Sequence, residues 1–162
     1  MSTFDMNGIQ NIYITAQLRT SDNRGKISMT TEFELSVNGS SKDLLDSIAV
    51  LADQDINLNT IATAKADGHY VIKFITGSED EVRRTFIKAD LPFKEKRVLI
   101  VEVHNRPGMW VKAAHHLVDG GVQLEASYLL GQHGDKLTFV FVVDNYERAK
   151  KIAGQITNCS MD

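Results

Sequence analysis

Val98-Leu99-Ile100-Val101-Glu102-Val103-His104-Asn105-Arg106-Pro107-Gly108-Met109-Trp110 runs from an apolar, strand-like stretch into a polar turn and out into a helical pattern. Downstream, Trp110, Val111, Ala114, Leu117 and Val118 recur at helical spacing, while Lys112, His116 and Asp119 suit the solvent side. Within the turn, Asn105 is a natural helix cap, Pro107 fits a first helical turn where no amide bond is lost, and Gly108 lets another group approach the backbone. A helix start of this kind presents unpaired amide N–H groups at the positive end of the helix dipole, which suits a carboxylate or phosphate.

The same order of patterns occurs earlier in the chain. A shift of 66 residues superposes Leu35 and Val37 on Val101 and Val103, Leu51 on Leu117, and Ile56 and Leu58 on Val122 and Leu124, without a gap. The first copy opens with the alternating Phe33-Glu34-Leu35-Ser36-Val37 and continues into a helix carrying Leu44, Leu45, Ile48, Leu51 and Ala52. Strands are expected from Ile56 to Ala64 and from His69 to Thr76, with the positive-φ pair Asp67-Gly68 turning between them. In the second copy the corresponding runs, Val122 to Leu130 and Leu137 to Val143, flank Gln132-His133-Gly134-Asp135. Acidic caps, Ser78-Glu79-Asp80-Glu81 and Asp144-Asn145-Tyr146-Glu147, then start a last helix in each copy.

Strand, helix, strand, strand, helix is the split βαβ order, so the fold expected is α+β. Two ferredoxin-like βαββαβ units would each have an antiparallel sheet with helices on one face. The first unit is expected to close with a strand near Pro92 to Glu95, and only Lys96 and Arg97 then separate it from the second. That short join implies packed units: an N-terminal extension over 1–30, a first domain over 31–96 and a second over 97–158. In the extension, Ile12 to Ala16 reads as an extra strand or a frayed segment, Ser21 to Lys26 as a polar loop, and Met29 as an alternative start.

His104-Asn105-Arg106-Pro107-Gly108, the following helix ending at Gly120-Gly121, and the strand from Val122 resemble the signature of the ACT domain. The repeat from Thr31 to Ile156 resembles a tandem ACT protein. The resemblance implies a non-catalytic regulatory module that binds an amino acid or similar small metabolite where the turn meets a neighbouring domain. It also implies side-by-side pairing, hence a homodimer, and an enzyme or regulator of amino acid metabolism as partner. Carried over by position, His104 and Asn105 would grip the ligand, with Arg106, Pro107, Gly108 and Met109 shaping the pocket. Val122, Gln123 and Leu124 would complete a neighbour's pocket. The first copy has Asn38-Gly39-Ser40-Ser41 in place of the intact turn, so that segment is either structural or a differently shaped second site, with Asn57 serving across an interface.

A plainer account stands beside this one. An Asn-Arg-Pro-Gly turn is a sound helix start by itself, Met109 and Trp110 suit a core, and His104 suits solvent. On that account the chain is a ligand-free module that dimerises or docks onto an enzyme.

Composition narrows the classes. A net charge of -3 with both signs spread along 162 residues offers no basic block for nucleic acid. Cys159, the single cysteine, can close no disulfide, which favours a reducing, cytoplasmic setting, and no apolar run approaches membrane-spanning length. Adjacent His115 and His116 diverge by about 100° on a helix, so they share no metal ion. No nucleophile elbow, Walker loop or dinucleotide fingerprint appears, so neither an enzyme nor a cofactor is expected. Glu102 and Glu125 are the strand carboxylates that would meet partners across a sheet or interface. Finally, Leu137 to Val143 is apolar on both strand faces, with Phe139 where the first copy has Lys73. The second copy's outer face is therefore expected to be buried by its sister unit or another subunit.

Overall fold

The computed structural model describes residues 27–156. In chain order these form β1 (Ile27–Asn38), α1 (Ser41–Ala52), β2 (Thr60–Ala66), β3 (His69–Ile75), α2 (Glu79–Lys88), β4 (Phe93–His104), α3 (Met109–Asp119), β5 (Leu124–His133), β6 (Lys136–Val143) and α4 (Tyr146–Ile156). The expected strand at Ile12 to Ala16 and the polar loop at Ser21 to Lys26 lie outside the described residues. All strand pairs are antiparallel, and they make one six-stranded sheet ordered β2-β3-β1-β4-β6-β5.

The repeat governs this sheet more tightly than its apolar positions suggested, because shifting β1 by 66 residues reproduces the bounds of β4. The two 12-residue strands pair along nearly their whole length, from Ile27 opposite Val101 to Leu35 opposite Phe93. Each strand thereby serves both halves. The first part of β4 is the fourth strand of the first half, and the first part of β1, Ile27 to Thr30 against Val101 to Val98, fills that place for the second. Two sequence expectations change as a result. Ile27 to Thr30, assigned to the extension, are strand, and Lys96-Arg97, read as a join, are mid-strand, with Lys96 opposite Glu32.

Antiparallel partners point to the same face, so Leu35 opposite Phe93 fixes odd-numbered positions of β1 and β4 on one side. On that side α1 and α2 cover a core of Phe33, Leu35, Leu51, Ile72, Phe74, Val82 and Phe86. Its aromatic centre includes Phe33 stacked on Phe74 at 5.4 Å and Phe86 edge-on to Phe74 at 5.9 Å. Beside it α3 and α4 cover an aliphatic core of Leu99, Val101, Val103, Ala113, Leu117, Val143 and Ala149. Each large side chain removed from water contributes about 1.5–3 kcal/mol.

Among the described residues no helix lies on the opposite face, yet Val98, Val140 and Val142 on it are fully buried, together with Ile75 and Ile100. Curvature explains this. The edge strand β5, kinked by register shifts at Leu124/Ala126 and Leu129/Gly131, bends over the face. Tyr128 packs against the apolar cluster and its hydroxyl reaches Glu32 of β1, two strands beyond its neighbour β6. Burial of this face is expected from the sister unit or another subunit; within the chain, Ala126, Tyr128 and Leu130 of its own edge strand pack against it. The strand carboxylates also find partners within the chain, Glu102 with Lys136 at 2.7 Å and Glu125 with Lys96.

Candidate functional site

The turn after β4 holds the strongest sequence expectation. Its β-ladder ends at His104 opposite Lys136, and the chain then folds back sharply, with Arg106 N–H donating to the His104 carbonyl at 2.8 Å. Gly108 follows with φ 82°, a left-handed value at which an L side chain is strained. A Cβ there would meet no atom within 4 Å, so backbone conformation and not crowding demands the glycine. Gly108 is the N-cap of α3, which corrects the assignment of Asn105 as cap. Asn105 instead turns its own amide to the Asp135 carbonyl at 2.7 Å, because the left-handed residue between it and the helix prevents helical geometry from starting earlier.

The start of α3 therefore has no side-chain cap and no acidic residue in its first turn. At the start of α1 the arrangement is reversed. Ser40 and Asp43 form a capping box in which Asp43 Oδ2 accepts from Ser40 N–H and from Ser40 Oγ, both at 2.7 Å. These bonds hold the Asp43 carboxyl below its usual range. One helix start is closed by its own carboxylate, and its repeat counterpart is open.

His104, Asn105, Arg106, Pro107 and Gly108 are all exposed, whereas Met109 is buried in the core beneath them. His104 Nδ1 lies 3.1 Å from Asp135 Oδ2, and this contact is the main cause that lowers the Asp135 carboxyl. Trp110, expected in the core, is intermediate in role: its ring stacks on Phe141 at 6.2 Å, its Nε1–H donates to Ser127 Oγ at 3.0 Å, and it remains 39% exposed. It forms an apolar shoulder beside the open helix start.

Val122, Gln123 and Leu124 lie elsewhere. Val122 is buried, Gln123 N–H donates to Asp144 Oδ1 at 2.9 Å, and Leu124 pairs with Val143. His104 is beside Lys136 and Leu124 beside Val143, so the two groups sit at opposite ends of the eight-residue β6, about 23 Å apart at the usual strand rise. A single chain does not bring them together. In the first half, Asn38, Gly39, Ser40 and Ser41 lie exposed at the end of β1, Ser41 Oγ is 2.9 Å from the Tyr70 hydroxyl, and the carbonyl of Asn57 accepts from Thr76 Oγ1 at 2.7 Å. Asn57 is likewise remote from Ser40, because it precedes β2 at the end that pairs with Ile75, whereas Asn38 pairs with His69 at the other end of β3.

Asp135 was not among the residues singled out from sequence. Its signal was available in the Gly134-Asp135 bend, which the strand register brings against His104. Among the described residues, no group of three or more His, Cys, Asp or Glu side chains is placed to hold a metal ion.

No protein-family model matches the chain. No curated protein matches it either. Solved structures do. A protein from Bacteroides thetaiotaomicron is similar with a TM-score of 0.73 at 18% identity, over 80% of this chain and 89% of that one. The ligand-free regulatory subunit of aspartate kinase from Thermus thermophilus is similar with a TM-score of 0.55 at 11% identity, over 82% and 96%. The regulatory subunit from Thermus flavus gives 0.56 at 10% identity, over 82% and 96%. At such identities the likeness is one of fold: an antiparallel sheet carrying four helices, shared with regulatory subunits of aspartate kinase.

Proposed function

We propose that the protein is a non-catalytic regulatory module that binds an amino acid, or a small metabolite like it, at the start of α3. The observation that carries this reading is the contrast between the two helix starts. Where Asp43 closes α1 with its own carboxylate, α3 is left to accept one from outside. The shared fold with the regulatory subunits of aspartate kinase supports an amino acid as ligand and an enzyme of amino acid metabolism as partner. A coupling of about 1–3 kcal/mol between binding and subunit packing changes a partner's activity several-fold.

On this reading the site is completed by a second copy. Among the described residues β5 is a sheet edge, and a two-fold association along β5 and α3 runs the partner's β5 in the opposite direction. That direction carries the partner's Val122 to Leu124 to the end of the sheet where His104 lies. Val111, Val118 and Leu129, about half exposed beside this edge, offer the apolar contact. The first-half turn, Asn38 to Ser41, then has a structural role in capping α1.

The test is a thermal-shift screen of the twenty common L-amino acids against the parent chain and Val111→Asp. Val111 is the third residue of α3, as Asp43 is of α1, and is 48% exposed, so the variant installs the missing carboxylate without disturbing the core. A ligand present at a hundred times its Kd stabilises the parent by about 2.7 kcal/mol. Val111→Asp is expected to abolish the shift while folding normally. A shift of equal size in the variant moves the site away from α3.

The same exposed residues beside β5 favour a second reading, a ligand-free dimerisation or docking module. It predicts a dimer in solution and no shift with any amino acid.

A further inference from the structure

Asp135 occupies the tip of the β5–β6 hairpin and touches two consecutive residues of the turn at which the ligand is proposed to bind. Its backbone carbonyl accepts the Asn105 amide at 2.7 Å, and its carboxylate Oδ2 stands 3.1 Å from His104 Nδ1. We infer that Asp135 is the positioning residue of this site, fixing the tautomer and orientation of the His104 ring and the path of Asn105. It is thereby a determinant of which ligand is accepted. The inference rests on reading the turn as a ligand site.

An ionised carboxylate has only acceptor atoms, so the His104 nitrogen facing it must carry the proton. In the neutral ring, Nε2 is then left with its lone pair, as an acceptor. A ring fixed in this state complements a ligand group that donates, such as an ammonium or hydroxyl. The uncapped amides of α3 complement a group that accepts, such as a carboxylate. Together they select a small molecule bearing both, and the hairpin sets the spacing between the two.

The charges around the pair are arranged to keep it intact. Lys136, opposite His104 in the ladder, is drawn to Glu102 at 2.7 Å, so it adds a favourable field to Asp135 without taking its hydrogen bond from His104. Without a tether, an exposed imidazole samples several rotamers, and binding a ligand would have to order it.

The first half lacks every part of this device. Asn38 stands where His104 does, and its ladder partner His69 stands where Lys136 does, so Gly68, which has no side chain, takes the place of Asp135. The adjacent helix start is closed by Asp43. The tether therefore occurs in the half whose helix is open, as a ligand-linked role requires; a general requirement of the hairpin would place it in both.

The experiment compares the full-length parent, Asp135→Ala and Asp135→Asn by nuclear magnetic resonance, first without any amino acid. In Asp135→Ala the His104 ring is expected to lose its preference for the Nδ1-protonated tautomer, while the Asn105 amide, whose acceptor is a backbone carbonyl that alanine retains, keeps its protection from exchange. The Leu137 and Val140 amides should remain as in the parent, showing that the hairpin is intact. Asp135→Asn, whose side-chain oxygen can still accept from Nδ1, should restore the tautomer. An unchanged tautomer in Asp135→Ala overturns the inference.

Binding is then read with each of the twenty L-amino acids. If one binds the parent, Asp135→Ala should weaken it by about tenfold; equal affinity despite an altered tautomer also overturns the inference. If none binds the parent, the proposed function fails by itself, and the tautomer still decides whether Asp135 positions the His104 ring.

Discussion

The Tyr128 hydroxyl donates to the Glu32 carboxylate across β6 and β4, joining the outermost strand of the second half to a strand shared by both. Glu32 is 2% exposed, and its nearest cation, Lys73, is 3.6 Å away. Its solvation is supplied mainly by that phenol. Tyr128→Phe removes the donor while keeping the ring over Val98 and Val140, so it leaves a buried charge under-satisfied and is expected to cost about 1–3 kcal/mol. Urea unfolding of Tyr128→Phe, Glu32→Gln and the double variant checks this. The double variant should lose less than the two single losses added together.

The same contact gives the protein an alkaline limit. Burial first, and then the hydrogen bond and charge of Glu32, raise the Tyr128 phenol above its ordinary value. A group whose folded value is raised lends its stability in full below the unfolded value of about 10 and loses it progressively as pH climbs above that. Stability measured between about pH 8 and pH 11 should therefore fall at the alkaline end, and Tyr128→Phe should flatten the fall. An identical slope in the two proteins removes Tyr128 as its cause.

Because β1 and β4 each belong to both halves, neither half can unfold alone without unpairing the other's strand. Thermal unfolding is expected to be a single transition by circular dichroism and calorimetry. Leu51 and Leu117 hold equivalent places, each 1% exposed in its own core, and replacing either by Ala should cost about 2–5 kcal/mol. Both variants should lower the one transition; two resolved steps in either would show that the halves are independent.

At the end of α3, Gly120 allows the helix to touch α4. A Cβ there would stand 2.2 Å from Ile152 Cδ1 and 2.9 Å from its Cγ1. Gly120→Ala should thus destabilise by about 1–3 kcal/mol through overpacking, and Ile152→Val in the same chain should recover part of the loss. Failure of the second change to help would place the strain in the backbone.

Much of this architecture was readable from residue order. Apolar spacing around Leu51 and Leu117 predicted their helices, Asp67-Gly68 the hairpin, and the order of elements the fold class. What escaped has physical causes. Lys96-Arg97 has the polarity of a linker, yet Lys96 answers Glu125 and lies opposite Glu32, so the strand passes through the join without a break. Asn105 has the chemistry of a cap, but the left-handed Gly108 starts the helix after it. Tyr128 and Glu32 are 96 residues apart, and their meeting depends on how β5 bends, which apolar periodicity does not encode. The open face looked bare because alternation tells which residues leave the helix side, not what bends over them.

The exchange of strands between halves also bears on symmetry. A single repeat of about 66 residues would end without a fourth strand, with the long edge of its first strand exposed. Two such copies, related by a two-fold axis through the β1–β4 ladder, would complete each other and rebuild the whole six-stranded sheet. The present chain has the geometry of such a two-fold pair held in one polypeptide. Within one chain the two helix starts can differ, one sealed by Asp43 and the other open behind Gly108, an asymmetry that identical subunits cannot have.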